Sequence, residues 1–127
     1  MYQNETVLCG ASKYTRKFYL NPDFDSLPKD IKDELKIMCV LFTEDVGGTI
    51  ELIFTEKGNL RIRTEAEDGD ALYDDIGSAL LVKKMKNDKE ELFMKLEMYF
   101  KMFALGMDPE ELEDEVRQGR FEDEDDE

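Results

Sequence analysis

Carboxylates are the one reactive side-chain type that this sequence holds in abundance: 32 Asp and Glu among 127 residues, and no His at all. The missing imidazole removes the commonest general base and the commonest metal ligand together. Two acidic groups are dense enough to be tested for hydrolytic or metal chemistry, Asp74-Asp75 and the run Glu65 to Asp70. A calcium loop with its glycine at Gly69 would put Thr64 and Ala66 where oxygen-rich acids belong, so that pattern fails. The run reads better as a solvated link, and Asp74 and Asp75 as acids at the positive start of a helix.

The other reactive candidate is Cys9, with Lys13, Arg16 and Lys17 nearby in sequence. Neighbouring cations can lower a thiol's pKa. A small apolar residue inside a strand is the stronger reading, because free cysteine is among the most buried residue types. No G-x-x-x-x-G-K-[ST] or G-x-G-x-x-G string occurs, so the known phosphate-cradling loops are absent. The sequence thus offers no catalytic residue, no metal-ligand set and no cofactor-binding motif. An enzyme is the least favoured class.

Surfaces are more informative. At ~100° per residue, Leu92, Phe93, Leu96, Tyr99, Phe100 and Phe103 make one broad apolar stripe of a helix. Met94, Met98, Met102 and Leu105 make a second stripe on another face. Lys95 separates the two on one side, Glu97 and Lys101 on the other. One stripe serves the core. The second needs either cover from residues 110–116 or a partner, and methionine suits adaptable contact surfaces. Met94, Met98, Met102 and Leu105 are therefore the candidate interface.

Two basic strings run against the overall charge: Lys13 to Tyr19, where cations alternate with aromatics, and the lysines at 83, 84, 86 and 89. Alternation of that kind can line a nucleic-acid sheet, but it also describes a half-buried strand. The net charge of −15 opposes nucleic acid and anionic membranes alike. Its distribution is uneven. Asp108 to Glu127 carries 12 acidic and two basic residues, so −10 of the charge lies there and −5 on residues 1–107. Like charges keep Glu122 to Glu127 from folding on their own. The expected organisation is a single domain over 1–107 and an acidic tail over 108–127, a short helix near Pro109 and then disorder.

The elements that position these residues follow from pattern. Thr6–Gly10 and Thr15–Leu20 are β-prone around a short turn, and Asn21-Pro22-Asp23 breaks the chain. Pro28 opens a helix whose core face is Ile31, Leu35, Met38 and Phe42, widened by Ile37 and Leu41 and ended at Gly47-Gly48. Thr49–Thr64 is a hairpin. A two-residue loop would set Phe54 opposite Arg61 and mix the faces; the three-residue loop Glu56-Lys57-Gly58 pairs Phe54 with Leu60, Leu52 with Ile62 and Glu51 with Arg63. Asp70 is then positioned to cap a helix carrying Leu72, Tyr73, Ile76, Ala79 and Leu80. Asp88 to Glu91 resembles a capping box for a further helix through Phe103, with one long bent helix as the equal alternative. The fold class is α+β, an antiparallel sheet of hairpins against helices in the order β-β-α-β-β-α-α.

Cys9 and Cys39 lie in apolar settings, no signal-peptide pattern is present, and the longest apolar run, Ile37 to Phe42, is too short for a bilayer. A cytoplasmic protein with reduced thiols is expected.

The strings Leu8-Cys9-Gly-Ala-Ser-x-Tyr14, Lys17-Phe-Tyr-Leu-Asn21, Ile37 to Gly48, Asp75-Ile-Gly-Ser78 and Glu91-Leu-Phe together resemble a family of small proteins of unknown function from gut Firmicutes. The resemblance spans most of residues 5–105 and implies a bacterial cytoplasmic setting. It transfers no active residue. The functional expectation is a non-enzymatic protein-interaction module, acting on a protein partner or as a homodimer. The alternative is a small-ligand-binding or regulatory domain with a pocket between sheet and helices.

Overall fold

The computed structural model describes residues 5–108 and 110–111. Two strands, β1 (Thr6–Ser12) and β2 (Lys17–Leu20), are followed by a 3-10 turn at Pro22–Phe24 and by α1 (Lys29–Val46). Then come β3 (Thr49–Phe54), β4 (Leu60–Glu65), α2 (Asp75–Asp88) and α3 (Glu90–Phe103). This is the α+β order β-β-α-β-β-α-α. The sheet is antiparallel with strand order β2-β1-β3-β4, so the β1–β3 pairing joins the two hairpins across α1.

Alternation fixes the register. Phe54 pairs with Leu60, Leu52 with Ile62 and Glu51 with Arg63, as the three-residue loop requires. Gly58 takes φ +88° in that loop, a conformation that an L side chain resists. On the outer face a cross-strand row runs Tyr19, Gly10, Glu51, Arg63, and Arg63 reaches both Glu51 (2.7 Å) and Glu5 (3.2 Å). On the inner face Cys9, Ala11, Ile50, Leu52 and Phe54 meet Leu35, Met38, Cys39 and Phe42 of α1 and Leu96 and Phe100 of α3 in one core. Both thiols are free and fully buried, with sulfurs 4.0 Å apart. The hydrogen bond with the Cys39 thiol, followed by loss of solvation, holds the Cys9 pKa far above the ordinary cysteine range, which disfavours the thiolate that reactivity needs.

Several expectations are corrected. β1 extends to Ser12, and the turn moves to residues 13–16, where Arg16 has φ 56°. Ile37 and Leu41 do not widen the core face of α1: they are 58% and 61% exposed, because the sheet accepts only the stripe through Leu35, Met38, Cys39 and Phe42. Of the apolar residues expected to anchor the helix after Asp70, only Tyr73 packs against the core, from just before α2. Ser78, Leu81, Val82 and Met85 turn inward, while Leu72, Ile76 and Leu80 are 91%, 76% and 63% exposed. Asp74, not Asp70, caps α2, its carboxylate accepting the Gly77 amide at 2.8 Å. Asp70 instead accepts the Leu72 amide and the Tyr14 hydroxyl (2.6 Å), which ties the acidic link to the first hairpin. The capping box at Asp88 does not form: Asp88 ends α2 and pairs with Lys84, and Lys89 (φ −110°, ψ 20°) separates two distinct helices.

The expected disorder of Glu122–Glu127 and the cover by residues 110–116 fall, apart from residues 110–111, outside the described residues. At the tail's threshold, Asp108 and Glu111 exchange side-chain bonds to each other's amides at 2.9 and 3.0 Å, a reciprocal cap that opens a helical turn.

Candidate interaction site

The exposed apolar surface of α3 gathers at its C-terminal end. Phe100 closes the core from above, its ring 4.2 Å from that of Phe54 and nearly parallel (5°), with Phe24 beside both at 5.7 and 6.3 Å. One turn later the sheet has no further apolar residue to offer, since Phe54 ends β3. Phe103, expected in the core stripe, is therefore left 72% exposed, its ring 4.8 Å from that of Tyr99. Tyr99 is held in turn by its hydroxyl, 3.1 Å from that of Ser26.

Of the four expected interface residues, Met102 and Leu105 are 38% and 41% exposed, whereas Met94 and Met98 are only half-buried flank residues. They do not form one open stripe. Glu97 and Lys101, read as a wet boundary, are 8% and 4% exposed. The reason is β4, an edge strand whose Leu60 amide points away from β3: the Glu97 carboxylate accepts it at 2.7 Å. Lys101 and Leu105 lie against Gly58, so the end of α3 is seated on the β3–β4 turn.

A cleft of about 690 Å³ opens where these elements meet. Its wall is Phe24, Tyr99, Phe100 and Phe103, and its rim carries Glu5, Asp23 and Glu56. Glu5 shares Arg63, while Asp23 and Glu56 are exposed and make no ion pair among the described residues. The arrangement presents ring faces, carboxylates and the hydroxyl-bearing Thr6 and Thr55 to whatever enters the cleft. A second cleft, also about 690 Å³, follows the acidic link from Thr64 to Asp75. Among the described residues no group of three or more His, Cys, Asp or Glu is placed to hold a metal ion.

A family model described as "Family of unknown function (DUF6145)" matches residues 5–108. The chain belongs to that family. Comparison with curated proteins and with solved structures returned no match. The DUF6145 match ends at Asp108, where the acidic stretch begins, and it takes in the whole cleft. Phe103 was visible in the sequence but assigned to the wrong surface. Glu5, Asp23 and Glu56 were missed, since they reach one rim from β1's start, the 3-10 turn and the β3–β4 turn. No spacing rule links them.

Proposed function

We propose that this protein is a non-enzymatic interaction module that receives a segment of another protein in the cleft at the end of α3. The observation that carries the reading is Phe103: a large ring, 72% exposed, at the mouth of an aromatic-walled cleft. Exposed apolar surface of this kind, rimmed by polar groups, is typical of contact sites. Of the four candidate interface residues Leu105 lines the cleft and the exposed Met102 adjoins Phe103 in sequence, while Met94 and Met98 do not line it. The cleft's size also falls in the range of small-ligand pockets, which supports a ligand-binding or regulatory role as the second reading. A homodimer is the less favoured version of the first reading, because a net charge of −15 sets two copies against each other.

Free buried thiols, and the absence among the described residues of a helix long and apolar enough to cross a membrane, support a bacterial cytoplasmic setting, in the gut Firmicutes that the sequence strings suggest. We retain the division into a domain over 1–107 and an acidic tail. The test is a photo-crosslinking residue at position 103 in the native host, with position 36 on exposed α1 surface as control. A crosslink from 103, absent from 36, to a different polypeptide is expected. A self-crosslink would establish the homodimer instead, and no crosslink to protein would remove the interaction reading.

A further inference from the structure

The charge around the cleft narrows what enters it. No Lys or Arg lines it, and of its three rim carboxylates two have no cationic partner among the described residues. The ring faces of Tyr99 and Phe103 stand beside these acids, and an aromatic face attracts a cation through its quadrupole. We propose that the cleft takes a lysine or arginine side chain from a basic segment of a partner protein, the stem lying on the rings and the head between Asp23 and Glu56. This rests on the interaction reading above and names the chemistry of its partner.

Three occupants compete, and charge separates them. The chain's own Asp108–Glu127 stretch has a net −10 and would meet an acidic rim, which opposes its docking there. A second copy is opposed by the net −15 of each chain. A basic segment gains from both: the chain's long-range field draws it in, and the rim holds it. The length of a lysine or arginine stem also suits the site, since such stems cover apolar surface while the charged head stays near water.

The test uses the full chain and two defined probes: a capped peptide of alternating lysine and serine, and its glutamate counterpart. Backbone amide NMR should show the lysine peptide shifting signals of Glu56, Tyr99 and Phe103 at low salt, and the glutamate peptide shifting none of them. Asp23→Lys with Glu56→Lys should weaken the lysine peptide about tenfold, the scale expected from two exposed charge contacts. Both positions are exposed, so the variant should fold; Glu56→Gln alone supplies a milder version with a smaller loss in the same direction. Shifts confined to residues 108–127, unchanged affinity in the double variant, or equal shifts with the glutamate peptide would each overturn the proposal. A crosslink from position 103 that persists in the double variant would keep the interaction module and sink only the cationic partner.

Discussion

Replacing Phe100 and Phe103 separately by alanine divides core from surface on a single helix. Phe100 is 5% exposed and stacked on Phe54, so Phe100→Ala removes a fully packed ring and leaves a cavity. That class of change costs ~3–5 kcal/mol, a large part of the ~5–15 kcal/mol that holds a domain of ordinary size. Phe103 keeps only about a quarter of its surface covered. Full burial of a phenylalanine is worth ~1.5–3 kcal/mol, so Phe103→Ala should cost about 0.4–0.8 kcal/mol, with the Tyr99 contact included in that area. The assay is urea unfolding followed by far-UV circular dichroism, with both variants at the same slope m, so that midpoints compare directly. An equal loss from Phe103→Ala and Phe100→Ala would overturn this division of the helix. Phe103 would then be paired in solution with something that stabilises the fold, and its exposure could not mark a vacant contact surface.

Cys9 and Cys39 should resist a thiol-specific reagent in the native protein and react together on unfolding; fast native labelling would contradict their burial. Because the Cys9 pKa is raised, its contribution is complete below the ordinary thiol range, about 8.5, and declines as pH rises beyond it; alkaline titration of unfolding should show that loss, and Cys9→Ala should blunt it. The Tyr14–Asp70 bond has a window with two edges. The Tyr14 hydroxyl and then the Leu72 amide lower the Asp70 pKa, so that contribution is present above the ordinary Asp range and fades as pH falls through the lowered value; the same bond raises the Tyr14 pKa, so its contribution fades as pH climbs through the raised value. Tyr14→Phe should therefore speed amide exchange at Glu67, whose N–H donates to the Tyr14 hydroxyl, at neutral pH; unchanged exchange would mean that the link is held elsewhere. Gly48→Ala should destabilise by at least ~1–3 kcal/mol, since φ is +68° and a methyl there would meet the Glu65 carbonyl and the Tyr73 ring; a neutral result would show that this junction relaxes freely.

The second hairpin was legible because one loop length alone keeps Ile50, Leu52 and Phe54 on the same face as Leu60 and Ile62. α1 was legible at its ends and along its centre, where Pro28, Gly47 and the Leu35–Met38–Phe42 spacing agree. α2 was not, for a physical reason: it has an apolar stripe on each side, and periodicity cannot say which one the body of the protein will cover. Leu81, Val82 and Met85 were covered, leaving Ile76 and Leu80 outside. The polar boundary of α3 failed for another reason. Glu97 is buried because a strand edge needed an acceptor, and that need is created in another element, thirty-seven residues away in sequence. Tyr99, Phe100 and Phe103 were legible as one stripe, but Phe24 and the rim acids were not, since they reach those rings only when the 3-10 turn, the β3–β4 turn and the end of α3 come together.

That carboxylate has a bearing on how the molecule behaves in a crowded solution. β4 is one of the sheet's two borders, with β2 the other, and a border strand offers its outward amides to any extended chain that drifts past. At its first residue the offer is already taken: a newcomer adding itself as a fifth strand there would have to displace the oxygen of the buried Glu97 from the Leu60 amide. Growth from this end of β4 would have to begin with that displacement, so the helix that covers the core also guards one corner of the sheet.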